Sequence, residues 1–173
     1  DGKKGNYMET EIPNSENKYA LSKIDAEKKV LELFNSIVIR SEPMYGFDII
    51  KKQIVFGTNT FELDVKIGFP DILRKPIYVD DFPPIILRLI EKDKSGIFNL
   101  AGPSKLKWID FVTDLSLLID AQKKIKLVNS SDWILNPPYD STLDTSKIES
   151  IGIKTSTFNE ALKEIKYKLT EKW

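Results

Sequence analysis

A long amphipathic segment of this sequence opens with Asn17-Lys18-Tyr19-Ala20-Leu21-Ser22-Lys23 and continues to about residue 35. Apolar residues recur through it at helical spacing, which predicts an α-helix over residues 18 to 34. Tyr19 and Lys23 are four residues apart, so on this helix they project from one face, one turn above the other. The segment therefore predicts both a helix and the relative placement of two polar side chains.

The pairing of Tyr19 with Lys23 has two interpretations. A phenol is a poor proton donor or acceptor at neutral pH until a neighbouring positive charge stabilises its phenolate. An ammonium one helical turn away can supply that charge, so Tyr19 is a candidate acid-base group and Lys23 its electrostatic partner. The same spacing also occurs by chance on many solvent-exposed helices, and alone it is only a hypothesis.

The composition restricts the chemistry that the chain can carry. It has 26 basic and 26 acidic residues, so there is no electrostatic case for nucleic acid or an anionic membrane as a partner. It has no Cys and no His, which excludes disulfides, thiolate catalysis and histidine-based triads. Acid-base work must then fall to Tyr, Lys, Asp or Glu. No apolar run approaches the roughly 20 residues of a membrane span and no signal-peptide core is present, so we expect a cytoplasmic protein.

Several other elements can be predicted from local patterns. Residues 36 to 40 contain three successive β-branched apolar residues, Ile37, Val38 and Ile39, and predict a buried parallel strand, and the mostly apolar residues 96 to 101 predict a second one. Residues 61 to 67 alternate apolar with charged and predict a half-exposed strand. We also predict strands over residues 75 to 79 and 124 to 128, and a loop over residues 130 to 139. The predicted helices cover residues 47 to 56, 81 to 90, 105 to 120 and 144 to 150, and a final helix starts at a Thr157–Glu160 capping box.

Further motifs flank the Tyr-x-x-x-Lys helix in a fixed order. They are Gly5-Asn6-Tyr7, Ile12-Pro13-Asn14, Ile37-Val38-Ile39-Arg40-Ser41, Pro76-Ile77-Tyr78-Val79-Asp80-Asp81, Gly96-Ile97-Phe98-Asn99-Leu100-Ala101-Gly102 and Pro138-Tyr139-Asp140-Ser141-Thr142-Leu143-Asp144-Thr145-Ser146-Lys147. The series resembles the extended short-chain dehydrogenase/reductases, and most nearly the branch that contains dTDP-4-dehydrorhamnose reductase. Each motif is weak by itself, but together they extend over nearly all 173 residues.

The resemblance implies a fold, an activity and a set of site residues. The implied fold is α/β: the C-terminal part of a Rossmann-like extended short-chain dehydrogenase/reductase with a small α/β substrate-binding region. The implied reaction is reduction of a nucleotide-linked 4-keto-6-deoxy sugar by NADPH or NADH. Tyr19 would give a proton to the forming alkoxide, while Lys23 would hold the cofactor ribose hydroxyls. The implied cofactor-binding residues are Tyr19, Lys23 and Arg40, and the implied substrate-binding residues are Glu42, Pro43, Met44 and Tyr139.

One signature of the resembled family is missing from this sequence. Its members begin with a strand, a Gly-x-x-Gly-x-x-Gly turn and a helix that bind the dinucleotide pyrophosphate, and no such run occurs here. We therefore expect the C-terminal portion of a longer reductase. Residues 1–55 would be a remnant of the dinucleotide-binding domain and residues 56–173 the substrate-binding region, with strand 96–101 returning to the main sheet. The isolated chain would bind cofactor negligibly. Either it belongs to a longer protein, or it covers its exposed apolar face by self-association, as in a homodimer.

Two departures from the family pattern keep a second function open. The loop after the predicted strand 36 to 40 reads Glu42-Pro43-Met44, where the reductases have an aromatic residue beside the sugar. The later loop has Pro137 where the family usually has arginine. A related branch with the same fold serves as the regulatory subunit of methionine adenosyltransferase. The alternative is therefore a dinucleotide-binding regulatory protein without reductase activity.

Overall fold

A computed structural model describes residues 1–48, 53–56, 59–60, 66–67, 69, 71–119, 126–127 and 138–170 of the chain. The helices are α1 (Lys18–Leu31), α2 (Phe82–Glu91), α3 (Trp108–Ile119), α4 (Ser146–Ser150) and α5 (Phe158–Thr170). The strands are β1 (Ile37–Ser41), β2 (Met44–Asp48), β3 (Gln53–Phe56), β4 (Asn59–Thr60), β5 (Lys66–Ile67), β6 (Leu73–Arg74), β7 (Ile77–Tyr78), β8 (Gly96–Leu100), β9 (Leu106–Lys107) and β10 (Lys126–Leu127). A 3₁₀ turn over Val79–Asp81 precedes α2.

Helix α1 forms where the sequence predicts it. The side chain of Asn17 accepts a hydrogen bond from the backbone N–H of Tyr19 at 2.8 Å, which satisfies one of the free donors at the start of the helix. Lys28 and Lys29 lie in the last turn, where positive charge is favourable. No residue of α1 is buried, and Phe34 just beyond it is 94% exposed. The apolar side of this segment therefore faces outward within the described part of the chain.

The parallel pair of β1 with β8 places the loop that follows β1. Ile37 lies opposite Gly96 and Ser41 opposite Leu100, so the two strands end at the same edge. This confirms the two predicted parallel strands, although Ile37 to Arg40 are half-buried instead of fully covered. Glu42 follows directly, and its N–H donates to the carbonyl of Leu100 at 3.1 Å. The end of β1 is thus held against the end of β8.

The predicted helix over residues 47 to 56 is wrong. The described part of this segment belongs to strands β2 and β3, which pair antiparallel with Tyr45 opposite Phe56 and Phe47 opposite Ile54. The pairing of two strands is tertiary context, which overrides the local preference that the spacing of apolar residues expresses. β4 and β7 complete a four-stranded sheet in the order β4-β3-β2-β7.

The predictions for the middle of the chain have mixed outcomes. β5 and β10 pair in parallel, which confirms strand structure at residues 66–67 and 126–127. Residues 61–65 and 130–137, which include Pro137, lie outside the described residues. α3 begins three residues later than predicted because Leu106 and Lys107 pair with β6. In α2, Ile85 and Leu89 are buried while Ile86 and Ile90 are 38% and 56% exposed.

Asp81 connects the start of α2 to a distant segment of the chain. It occupies the N-cap position of α2 but makes no side-chain capping bond. Its carboxylate instead accepts hydrogen bonds from the N–H and the hydroxyl of Ser156, both at 2.8 Å. The start of α2 is therefore tied to the segment that leads into α5.

The C-terminal helices α4 and α5 form where the local sequence predicts helices. The Thr157 N–H donates to the Glu160 carboxylate at 2.8 Å, and the Glu160 N–H donates to the Thr157 hydroxyl at 3.3 Å, which confirms the capping box. α4 ends before Gly152, whose φ of 80° lies in the left-handed region. α5 buries Ala161 and Ile165 against a core cluster that also contains residues of β2, β7 and α3.

A second buried cluster lies under the β1–β8 pair. Its members come from β7, α2, β8, α4 and the residue after Gly152, and they are Ile77, Ile85, Leu89, Phe98, Leu100, Ile148 and Ile153. Ile37 and Ile39 pack against it from β1. None of the described helices combines the length and apolar character needed to cross a membrane.

Candidate functional site

A cavity of about 720 Å³ lies between α1 and β1, at the edge where β1 ends. A second cavity of about 610 Å³ adjoins it beneath the N-terminal loop. Six residues line both cavities: Tyr19, Lys23, Glu27, Arg40, Ser141 and Leu143. Ligands in open α/β folds bind at the carboxyl ends of parallel strands, so the position fits a binding site.

Tyr19 and Lys23 lie close together and line both cavities. The Lys23 ammonium lies 5.4 Å from the centre of the Tyr19 ring, as the four-residue spacing on α1 requires. Tyr19 is 70% exposed and Lys23 is exposed, so both are accessible to a ligand. No ion pair engages Lys23 within the described residues. The phenol and ammonium therefore form an accessible polar pair beside the cavity wall.

Arg40 is held by Glu27 across the cavity wall. Its Nε donates to Glu27 Oε2 at 2.8 Å and its Nη2 donates to Glu27 Oε1 at 2.6 Å. The carboxylate raises the pKa of Arg40, because its hydrogen bonds favour the charged guanidinium more than burial disfavours it. Nη1 reaches the carbonyls of Glu9 and Glu11 at 3.4 Å. Arg40 thus joins α1, β1 and the N-terminal loop, and its cofactor-binding role stays a prediction.

Glu42 lines the larger cavity and is only 4% exposed. Burial raises the pKa of its carboxyl to about 7, against the opposing effect of the Lys75 N–H, which donates to Oε2 at 3.4 Å, and of the nearby charges on Arg74 and Lys75. Its other oxygen, Oε1, is buried without a hydrogen-bond partner in the described part of the chain. Unpaired buried oxygens are unusual and indicate a functional or proton-linked group.

Arg74 lies beside Glu42 and is 8% exposed. Nη1 donates to the carbonyl of Leu73 at 2.7 Å and Nη2 to the carbonyl of Pro138 at 3.0 Å. Burial lowers the pKa of Arg74, although the charges on Glu42 and Asp140 oppose this. The guanidinium has five N–H donors, so three of them make no hydrogen bond to the described residues.

Asp140 is a third charged side chain near Glu42 and Arg74. It accepts a hydrogen bond from the ammonium of Lys105 and two from Thr142, whose hydroxyl lies 2.7 Å and whose N–H lies 3.1 Å from Oδ1. Burial opposes its ionisation, but these hydrogen bonds together lower the pKa of Asp140. The backbone of Gly5 lies so close to Asp140 that a Cβ on residue 5 would be 2.2 Å from Asp140 Oδ1. Asp140 is therefore a fixed carboxylate.

The structure brings together five of the seven predicted site residues. Tyr19, Lys23, Arg40, Glu42 and Pro43 all line the larger cavity. Met44 pairs with Ile77 in the β2–β7 ladder, and Tyr139 is 58% exposed on the segment after residue 137. Neither of the latter two lines the two cavities, and their substrate-binding role stays a prediction.

Sequence reasoning missed Arg74 and Ser141, which also line the larger cavity. A signal for Arg74 was present, because the chain has only three arginines, Arg40, Arg74 and Arg88, among its 26 basic residues. An arginine in such a lysine-rich chain suggests a site that needs a planar, multidentate donor. Ser141 stands out by no local feature of the sequence.

A family model described as the RmlD substrate binding domain matches residues 1–171. The chain belongs to this family. It is 30% identical over 183 residues to a dTDP-4-dehydrorhamnose reductase of Aggregatibacter actinomycetemcomitans, a match that covers 95% of this chain and 61% of the relative. It is 28% identical over 181 residues to the methionine adenosyltransferase 2 subunit beta of Mus musculus, covering 95% of this chain and 53% of the relative. The chain thus spans little more than half the length of these relatives.

A solved structure shows the same fold. The dTDP-4-dehydrorhamnose reductase of Bacillus anthracis in complex with NADP superimposes with a TM-score of 0.72 at 19% identity, over 94% of this chain and 58% of that one. The fold is accordingly the mixed α/β arrangement of the Rossmann-like reductases, as the sequence motifs predicted. The division into regions 1–55 and 56–173 stays a prediction.

Proposed function

We propose that this chain carries the proton-transfer residues and the substrate-binding region of an NADPH- or NADH-dependent reductase acting on a nucleotide-linked 4-keto-6-deoxy sugar. The observation that carries the proposal is the adjacent pair of Tyr19 and Lys23 in the lining of the cavity, in a chain of the RmlD substrate binding domain family. The relative of this family from A. actinomycetemcomitans is a dTDP-4-dehydrorhamnose reductase.

Tyr19 and Lys23, which line both cavities, fit the nicotinamide end of a dinucleotide. Lys23 offers an ammonium with no carboxylate partner among the described residues, which suits the hydroxyls of a ribose. The sequence has no Gly-x-x-Gly-x-x-Gly turn, so this chain holds no pyrophosphate by that device. When bound, the dinucleotide supplies a hydride to the keto carbon of the sugar.

Tyr19 then performs the proton transfer. Its hydroxyl proton passes to the oxygen of the keto group as that oxygen gains negative charge, and a hydroxyl results. Lys23 holds a positive charge next to the ring, which stabilises the phenolate left on Tyr19. The Arg40–Glu27 pair fixes α1 to β1 and so keeps Tyr19 at the cavity. No histidine or thiolate is needed for this chemistry.

A second candidate function is a dinucleotide-binding regulatory subunit. It is favoured by the 28% identity to the methionine adenosyltransferase 2 subunit beta and by Glu42-Pro43-Met44, a loop without the aromatic residue expected of the reductases. A turnover assay separates the two. The complete gene product is mixed with NADPH and a dTDP-4-keto-6-deoxy sugar, and loss of nicotinamide absorbance is followed. We expect sugar-dependent oxidation, while dinucleotide binding without oxidation would favour the regulatory function.

A further inference from the structure

Residues 7–11 contribute to the wall of the smaller cavity, and hydrogen bonds fix their backbone. The Tyr7 N–H donates to the carbonyl of Thr142 at 2.8 Å. The Met8 N–H donates to Glu11 Oε1 at 2.9 Å, and the Met8 carbonyl accepts from the Glu11 N–H at 3.2 Å. The backbone that carries the Met8 side chain is therefore held in one position beside the cavity.

Asn99 ties the two residues that flank Met8 to strand β8. Its side-chain Nδ2 donates to the carbonyl of Tyr7 at 2.7 Å, and its backbone N–H donates to Glu9 Oε1 at 2.9 Å. Because Asn99 is fully buried, both hydrogen bonds form in low-dielectric surroundings, which strengthens them. The position of Met8 thus depends on one buried residue and on the Glu9 carboxylate that binds it.

Met8 presents an apolar side chain that contributes little to the core. It is 50% exposed and lines the same cavity as Tyr19, as does Ile12, which is 90% exposed. Neither side chain belongs to the two buried clusters of the described chain. Methionine is adaptable in shape and polarisable, which suits it to binding surfaces. Its placement beside Tyr19 therefore fits contact with an apolar part of a ligand.

The proposed substrate has such an apolar part close to its reacting group. In a 4-keto-6-deoxy sugar the methyl group is bonded to the ring carbon next to the keto carbon. Tyr19 must reach the keto oxygen to transfer its proton, so the methyl group lies close to Tyr19 as well. A sugar that carries a hydroxymethyl group would place a hydroxyl there, and an apolar wall would remove its water without replacing the hydrogen bond.

We propose that Met8 is a specificity-determining residue that contacts the methyl group of the 6-deoxy sugar, and that Glu9, through its hydrogen bond to Asn99, is the positioning residue that keeps Met8 in the cavity wall. This inference rests on the proposed function, because it places the same keto sugar at Tyr19. Its consequence is that the protein binds a 6-deoxy sugar more tightly than the corresponding sugar with a hydroxymethyl group.

Calorimetry on the complete gene product, without NADPH, tests this wall in the absence of any reaction. The probes are dTDP-6-deoxyglucose and dTDP-glucose, which differ by a single hydroxyl group on the exocyclic carbon. We expect the 6-deoxy probe to bind roughly tenfold more tightly, as is typical of one small group against an apolar pocket. The readout is the ratio of the two affinities. Partial unfolding lowers the amount of active protein for both probes alike, so a merely structural effect leaves this ratio unchanged.

Variants assign the ratio to its residues. Met8→Ala should lower it to roughly twofold or less, because alanine is too short to reach the methyl group. Glu9→Ala should lower it similarly, whereas Glu9→Gln keeps an oxygen that accepts the Asn99 N–H and should retain the ratio. Glu16→Ala is the matched control, since Glu16 is exposed and lines neither cavity. Adding Glu9→Ala to Met8→Ala should change the ratio no further, because Glu9 acts through Met8.

Circular dichroism checks the folding of each variant. Met8 is half-exposed, so Met8→Ala tests the contact with the methyl group even if Glu9→Ala does not fold.

Equal binding of the two probes by the unmodified protein would overturn the proposal, and so would a ratio that Met8→Ala or Glu9→Ala leaves unchanged. These outcomes are separable from failure of the proposed function. A complete gene product that reduces the keto sugar but binds the two probes equally would reject the role of Met8 and keep the reductase. A protein that discriminates between the probes through Met8 and Glu9 but lacks turnover would do the reverse.

Discussion

Arg40 on β1 and Glu27 on α1 form an ion pair with two hydrogen bonds, of 2.8 Å and 2.6 Å, and their side chains are only 19% and 15% exposed. The pair is the main polar connection between the helix that carries Tyr19 and the strand that leads to Glu42. A charge left without its partner in such a place is costly, because water can no longer solvate it fully.

Glu27→Gln should therefore lower the free energy of unfolding by about 3 kcal/mol, measured by urea denaturation. Asp25→Asn is the matched control, since it makes the same acid-to-amide change on the same helix. Asp25 pairs with Lys29 at 2.9 Å, but these side chains are 64% and 72% exposed. The control should cost less than about 1 kcal/mol. Equal losses in the two variants would show that the Arg40–Glu27 pair is no more than a surface contact.

Glu42 makes the free energy of unfolding depend on pH. Its pKa in the folded chain is about 7, above its ordinary value of 4.5, because burial disfavours the ionised form. The folded chain thus keeps a proton that the unfolded chain has lost between pH 4.5 and 7. The contribution of Glu42 to the free energy of unfolding is fully present below pH 4.5 and is lost as the pH rises from 4.5 to 7. Above pH 7 the contribution no longer changes.

The size of this pH-dependent loss of stability follows from the difference between the two pKa values of Glu42. At 1.36 kcal/mol for each pKa unit, the free energy of unfolding falls by about 3 kcal/mol between pH 4.5 and 7. Urea denaturation of the unmodified chain and of Glu42→Gln from pH 4 to 8 measures it. The stability of the unmodified chain relative to the variant should fall between pH 4.5 and 7. A constant difference across that range would contradict the buried, protonated Glu42.

Gly5 should tolerate no side chain. Its φ is +69°, and a Cβ would lie 2.2 Å from Asp140 Oδ1, which Lys105 and Thr142 hold in place. Gly5→Ala should lower the free energy of unfolding by more than about 3 kcal/mol, from backbone strain and the clash together. Gly96→Ala isolates the strain, because Gly96 has a φ of +90° and open space where the Cβ would lie. It should cost about 1 kcal/mol, and similar losses at both glycines would exclude a fixed Asp140.

Local signals in the sequence predicted the parts of the fold that depend on few residues. The four-residue spacing of Tyr19 and Lys23 and the Thr157–Glu160 capping box each span about one helical turn, and each forms as predicted. The antiparallel pairing of β2 with β3 was not predicted, because the spacing of apolar residues within one segment does not reveal which segments will pair.

The candidate site could be predicted only where it depends on local signals in the sequence. Glu42 follows a strand that the sequence predicts, and ligands bind at strand ends, so its position in the cavity was expected. Its burial beside Arg74 was not, since residue 74 reaches the cavity from β6 after a long excursion of the chain. Asp140 arrives from still farther along the sequence. Contacts between such distant segments are set by the fold as a whole.

The most direct test of the central claim is Tyr19→Phe in the complete gene product, which removes only the hydroxyl that would transfer the proton. Turnover of a dTDP-4-keto-6-deoxy sugar and NADPH affinity, by nicotinamide fluorescence, are measured side by side. Tyr167→Phe is the control, because Tyr167 is 62% exposed on α5, away from the two cavities. We predict a loss of kcat of at least about 100-fold in Tyr19→Phe, with NADPH affinity retained and the control unchanged. Normal turnover by Tyr19→Phe would contradict the assignment.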